Sequence, residues 1–287
     1  MPTSEPAATA ILLTICGILL LVSVLSSRAS QRIGLPIALF FLVVGMLAGS
    51  EGIGGIPFAD YRLAFRIGAV ALALILFDGG LNTPLDVVRR VWAPAGVLGS
   101  VGVLLVAGLV ALLARLGGLP WPAALVLGAI VSSTDAAATF AVLRASGLQL
   151  KRRVAATLEV ESGANDPAAV ILTTTLAANL LSPGRLSLGE MLVEIATQLV
   201  IGAVVGIGAG YAGRALLVRL QLVTGGLYPA LMLAFGLLSF GVATLIQGSG
   251  FLAVYATGIV LGNGPLPYRG GLLRIFDALA WLSQIGM

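Results

Sequence analysis

Apolar residues gather along this chain into long runs, interrupted only by short clusters of Gly, Pro and Arg. About 20 apolar residues in helical form cross the hydrocarbon core of a bilayer. Inside that core every backbone N–H and C=O must find its partner within the protein. Repeated runs of this kind predict an all-α polytopic membrane protein. The charge content agrees: 10% of residues are charged and 59% hydrophobic, against about 25% charged in a soluble domain.

The formal charge of +4 does not point to nucleic acid, because the basic residues sit in short clusters between apolar runs. That arrangement is a topology signal. Histidine is absent, so any pH response near neutrality falls to carboxylates. The single cysteine, Cys16, excludes an internal disulfide and a thiolate metal cluster. The opening Met1-Pro-Thr-Ser-Glu-Pro6 carries no Lys or Arg. The first run is therefore expected to be a retained helix with its N-terminus outward, rather than a cleavable leader.

Ten helices are predicted: about Ala7 to Leu25, Ile33 to Ala48, Leu63 to Leu81, Val91 to Leu113, Ala123 to Leu143, Val154 to Leu181, Met191 to Leu217, Leu227 to Ile246, Phe251 to Leu261 and Leu272 onward. The second and ninth are short. An outward N-terminus puts Arg28, Arg32, Arg89, Arg90, Arg144, Lys151, Arg152, Arg153, Arg214, Arg219, Arg269 and Arg274 in cytoplasmic loops. Only Arg62, Arg66, Arg115 and Arg185 then fall outside. Twelve against four is the positive-inside bias that fixes orientation.

Gly45-Met-Leu-Ala-Gly49 and Gly258-Ile-Val-Leu-Gly262 end the second and ninth runs, which point in opposite directions on this topology. Two readings fit: an inverted repeat, or ordinary small-residue helix packing. In a repeat with seven helices between equivalents, helices five and six would have partners twelve and thirteen beyond Met287. The chain is then expected to hold ten of thirteen spans, truncated at its C-terminus.

Chemistry concentrates in Glu159-Val-Glu-Ser-Gly-Ala-Asn-Asp-Pro167. An ionisable group at membrane depth costs about 2.5–3.5 kcal/mol on insertion scales and marks an ion or proton path by default. If Val154 opens helix six at the surface, Asp166 lies twelve residues in, about 18 Å along the axis. Glu159, Ser162 and Asp166 share one stripe, with Glu161 and Asn165 on the adjoining face. Pro167 has no N–H, so the Gly163 carbonyl loses its helical donor. Carboxylate, hydroxyl, amide and carbonyl oxygens in one place suit a hard cation, and the carboxylate also takes a proton. The competing reading is a structural polar network between helices.

Helix five carries Ser132-Ser-Thr-Asp135 midway along its length. A broken helix would use these residues, with Ser133 or Thr134 capping its second half and Asp135 at the positive N-terminal end. An intact helix would turn Ser and Thr back onto its own carbonyls. Asp78, in Leu76-Phe-Asp-Gly-Gly-Leu81, is either a second site carboxylate or an interfacial residue. Asp86, Glu51, Asp60, Glu190 and Glu194 are expected near loops, and Gln247-Gly-Ser-Gly250 in a tight turn.

Leu76-Phe-Asp-Gly-Gly-Leu81, Ser132-Ser-Thr-Asp-Ala-Ala-Ala138 and Leu158-Glu-Val-Glu-Ser-Gly-Ala-Asn-Asp-Pro167 resemble, in this order, three signature stretches of the monovalent cation:proton antiporters. The branch they resemble has an Asn-Asp pair, and their wording is nearest to bacterial potassium/proton antiporters. The resemblance implies a secondary antiporter that exchanges K⁺ or Na⁺ for H⁺, with no catalytic residue and no cofactor. It implies that Asp166 alternately binds cation and proton, Ser162 supplies a side-chain oxygen and Thr134 a backbone oxygen. Asp166, Ser162 and Thr134 would thus hold the transient cation, with Asp78 in place of an acidic residue that is usually Glu. Asn165 and Pro167 would support the broken-helix crossing, Asp135 would balance the half-helix dipoles, and Glu161 would pair with an Arg on a later helix. Asn165 in place of a second Asp implies one-for-one, electroneutral exchange. A homodimer in a bacterial inner membrane, contacting lipid and no nucleic acid, is expected on the same ground.

Two rival classes remain in view. An intramembrane aspartyl protease needs a Gly-x-Gly-Asp setting that this sequence lacks. A sodium-coupled organic-anion symporter on a similar ten-helix scaffold would be complete with ten spans.

Overall fold

A computed structural model describes residues 5–33, 36–182, 187–220 and 224–287. Among the described residues every regular element is helical. The order is α1 (Glu5–Ile33), α2 (Ile37–Ala48), α3 (Tyr61–Asn82), α4 (Leu85–Val97), a π-turn (Leu98–Gly102), α5 (Val103–Leu116), α6 (Trp121–Val131), α7 (Ala136–Ala145), α8 (Arg152–Leu181), α9 (Leu188–Arg219), α10 (Leu227–Leu245), α11 (Gly250–Gly262) and α12 (Arg269–Gly286). Among the described residues five stretches are long and apolar enough to cross a membrane: Glu5–Ser26, Tyr61–Asn82, Leu85–Leu116, Gly189–Arg219 and Leu227–Leu245. The short second and ninth helices are α2 and α11, with 12 and 13 residues. At 30 residues α8 is about 45 Å long, ample for a span, although its carboxylates keep it less apolar than those five.

The basic residues expected in loops sit largely in helices instead. Arg89 and Arg90 belong to α4, Arg152 and Arg153 open α8, Arg214 and Arg219 close α9, and Arg269 and Arg274 lie in α12. A helix that leaves the hydrocarbon still gains from its backbone hydrogen bonds, so it runs on into the polar layer. For the same reason α4 starts at Leu85, ahead of the predicted Val91, with Asp86 in its first turn. Asp60 does flank a helix start, accepting from Arg62 N–H and Leu63 N–H at 3.0 and 2.9 Å. Glu190 lies in the first turn of α9, next to the loop as expected, and with Ser187 it forms a capping box at that helix's start. Arg185 lies outside the described residues.

The chain divides into two compact units, one of Met1–Ala69, Ala137–Gln149 and Leu282–Met287, the other of Val70–Ala136 and Leu150–Trp281. In the first, α1 packs on α2 while Leu13, Leu21 and Met46 stay exposed, as lipid-facing side chains would.

The second unit is built on close helix crossings. On α9, a Cβ at Gly202 would collide with Ser249, the cap of α11, and one at Gly206 or Gly210 with Ala253 or Val260 of α11. Spaced four apart, these glycines form one stripe on which α11 beds. Thr257 ties the crossing, donating to the Gly206 carbonyl at 3.0 Å. Gly258 and Gly262 pack in the same way on Phe77–Leu81 of α3, so helix packing accounts for that glycine pair. Phe77 then meets Phe276 of α12 edge-on, with centroids 5.1 Å apart. The turn after α10 is tight as expected, with Gln247 at φ 63° and Ser249 accepting from Leu252 N–H at 3.2 Å.

Candidate functional site

The fifth predicted helix is broken. Its first half, α6, stops at Val131, and α7 begins at Ala136. Ser132 is buried and turns its hydroxyl onto the Ala129 carbonyl at 2.7 Å, closing the end of α6. Residues 133–135 are non-helical. Unwound backbone at membrane depth is tolerated where protein satisfies it, and here α8 supplies the partners.

Ser162 performs two of these functions. Its hydroxyl donates to the Thr134 carbonyl at 2.9 Å and accepts from Ala136 N–H at 3.1 Å. One side chain thus meets a carbonyl of the break and the first N–H of α7. The expected caps, Ser133 and Thr134, point their hydroxyls to α8. Ser133 donates to Asp166, with Asn165 Oδ1 also within 3.4 Å. Thr134 donates to the Glu161 carboxylate, with both oxygens at 3.2 Å. The non-helical break lets these side chains reach across to α8, where a helical cap would have kept them local.

The adjoining face of α8 completes the lattice. Asn165 is fully buried, and its amide donates to Thr134 Oγ1 at 2.5 Å and to Glu161 Oε1 at 2.8 Å. Glu161 is buried too, held by these two neutral donors, and among the described residues no arginine is one of its partners. The two predicted stripes are therefore distinct in their surroundings. Glu161 and Asn165 lock the break, while Ser162 and Asp166 are only half-buried beside it. Behind them, Gly99 of the π-turn rests on the α8 backbone, where a Cβ would lie 3.6 Å from the Glu161 carbonyl and 3.7 Å from Asn165 N. Pro167 is fully buried and α8 continues through it.

The donor set fits a hard monovalent cation. The Thr134 carbonyl accepts from Ser162 at 2.9 Å and, at 3.5 Å, from Asn165 Nδ2, and the Ser162 oxygen keeps one lone pair after its two bonds. Asp166 Oδ1 takes the Ser133 hydroxyl, and among the described residues Oδ2 has no hydrogen bond. Asp135 and Glu161 lie near enough to act on Asp166 through space. Asp135 is exposed in the break.

Asp78 has different neighbours. It accepts from Asn82 Nδ2 at 2.9 Å on its own helix, and Asp277 of α12 lies close enough to repel it. It makes no hydrogen bond to the Ser133–Asp166 cluster. Sequence reasoning gave Ser133 a capping role and missed its bond to Asp166. The signal was weak: a second serine in Ser132-Ser-Thr-Asp135, whose direction only the break decides.

Residues 17–273 match the sodium/hydrogen exchanger transmembrane family. The chain is 46% identical over 276 residues to the K(+)/H(+) antiporter NhaP of Alkalimonas amylolytica, covering 95% of this chain and 47% of that protein. It is 27% identical over 265 residues to the Na(+)/H(+) antiporter NhaS2 of Synechocystis, covering 92% and 47%. The chain thus spans about half the length of the curated relatives it matches. Its fold is that of the sodium proton antiporter MjNhaP1 from Methanocaldococcus jannaschii, with TM-score 0.76 at 23% identity over 96% of this chain and 69% of that one.

Proposed function

We propose, since the chain belongs to the sodium/hydrogen exchanger transmembrane family, that its polytopic membrane domain exchanges a monovalent cation for H⁺ at Asp166. Potassium is the first candidate, because relatives at 44–46% identity are named K(+)/H(+) antiporters. The observation that carries the reading is the α6–α7 break, laced to α8 through Ser133–Asp166, Thr134–Glu161 and Ser162–Thr134. One carboxylate with a hydroxyl and a carbonyl beside it cannot favourably hold a proton and a cation together. The two therefore compete, and only the neutralised site crosses the barrier.

In this account Asp166 carries the exchanged ion, Ser162 and the Thr134 carbonyl complete its oxygen shell, and Glu161 and Asn165 hold the break in register. Pro167 withholds an N–H one turn away, and Asp135 offsets the two half-helix dipoles. Asp78 is assigned a supporting place on the path, on the resemblance of its motif. Residues 1–287 as a whole are assigned to an exchanger transmembrane domain. The bias of twelve basic residues against four supports an N-terminus outside a bacterial inner membrane. A homodimer is proposed on the family resemblance. Family membership favours exchange over the symporter alternative.

Asn165 leaves one ionisable ligand at the pair, so exchange is one-for-one and electroneutral. The test reconstitutes the product of the complete gene in proteoliposomes and measures cation-driven proton movement under an imposed membrane potential. Initial rates should be indifferent to the potential. Rates that follow it would overturn the stoichiometry.

A further inference from the structure

Two buried polar side chains on α11 have opposite circumstances. Thr257 is fully bonded, donating to the Ala253 and Gly206 carbonyls at 2.8 and 3.0 Å. Tyr255 is 6% exposed, yet its hydroxyl makes no hydrogen bond among the described residues. Thr83, whose own hydroxyl donates to the Gly79 carbonyl at 2.6 Å, is the polar side chain beside it. A buried hydroxyl left alone is costly, and in a native fold it calls for an explanation such as an ion, a water or a functional role.

Its position narrows the explanation. The phenol lies over Gly163 of α8, where a Cβ would stand 2.7 Å from Cζ and 2.9 Å from Cε2. The missing side chain at Gly163 is what lets the ring approach α8. Glu159, Gly163 and Asp166 are spaced four and three residues apart, so they share one helix face. The hydroxyl is within electrostatic reach of both Glu159 and Asp166. It therefore sits one turn from Asp166, on the side toward the start of α8.

We propose that the Tyr255 hydroxyl is a further oxygen contact for the transported monovalent cation, engaged as the ion moves along the Glu159–Gly163–Asp166 face. The inference rests on the antiport reading of Asp166. A phenol oxygen has lone pairs for a partly dehydrated cation. Such a contact sets how tightly the cation is held and does little for the maximal rate.

The experiment is cation-driven proton release in everted vesicles, with K⁺ and Na⁺ titrated separately, for wild type and Tyr255→Phe at matched membrane expression. Phenylalanine keeps the ring on Gly163 and removes only the hydroxyl. The apparent KM for the transported cation should rise about 3- to 10-fold with the maximal rate nearly unchanged, the range one hydrogen-bonding contact corresponds to. An unchanged KM for both cations, or a loss of maximal rate alone, overturns the inference and leaves the Asp166 reading standing. A wild type that releases no protons with either cation overturns both.

Discussion

Replacing Asn165 by alanine removes the side chain that binds both halves of the polar lattice. Its amide bridges Thr134 Oγ1 at 2.5 Å and Glu161 Oε1 at 2.8 Å from a fully buried position. A neutral hydrogen bond contributes about 0.5–1.5 kcal/mol and one to a charged group about 1.5–3 kcal/mol. Side-chain bonds between membrane helices run lower, about 0.6 kcal/mol on average and 1.7 at most. Asn165→Ala also leaves a void and exposes the buried Glu161 carboxylate to fewer donors. Together these predict a loss of about 2–4 kcal/mol of stability. The assay is equilibrium unfolding of purified protein in detergent, run as a double-mutant cycle with Thr134→Val. Coupling of about 0.6–1.7 kcal/mol is expected between the two positions. A single-mutant loss below about 0.5 kcal/mol, the scale of an ordinary surface change, would refute the claim that this side chain secures the break.

Gly206→Val should separate α9 from α11, because a Cβ there lies 2.8 Å from both Ala253 Cα and Ala256 Cβ. A cost of about 3 kcal/mol or more would appear as lost monodisperse protein on size-exclusion chromatography, and a normal profile would contradict the crossing. Ser133→Ala removes the hydroxyl bound to Asp166, and its longer contact with Asn165 Oδ1, while leaving the Ser162 bonds and the Asn165 amide's bonds to Thr134 and Glu161 in place. It should lower kcat/KM for exchange about tenfold, equivalent to about 1.4 kcal/mol, with thermal stability near wild type. Unaltered exchange would mean that the Ser133–Asp166 contact is incidental.

Much of the fold was legible because the bilayer forces apolar runs into helices. The break at Ser132–Asp135 was visible too, since four polar residues gain nothing from a continuous lipid-facing helix. Helix ends were harder to read. The first turns of α4, with Asp86, Arg89 and Arg90, look like a loop to any hydropathy argument, although backbone hydrogen bonding extends the helix through them. Helical spacing correctly grouped Glu161 with Asn165 and Ser162 with Asp166. Spacing within one helix cannot, however, say which partner sits opposite. The pairing of Ser133 with Asp166 and of Ser162 with Ala136 N–H depends on how the unwound segment leans on α8. Tyr255 was hidden for a related reason. In an apolar run such as Phe251–Leu261 it reads as packing, and only the glycine it meets at position 163 marks it out.

The central claim is that Asp166 is where cation and proton compete, and proton flux in everted vesicles tests it most directly. Vesicles carrying the product of the complete gene are energised, K⁺ or Na⁺ is added, and wild type is compared with Asp166→Asn at equal membrane expression. The account predicts cation-triggered proton release from wild type and none from the variant, whose amide neither takes up a proton nor carries a charge. Proton release that survives in Asp166→Asn would contradict it.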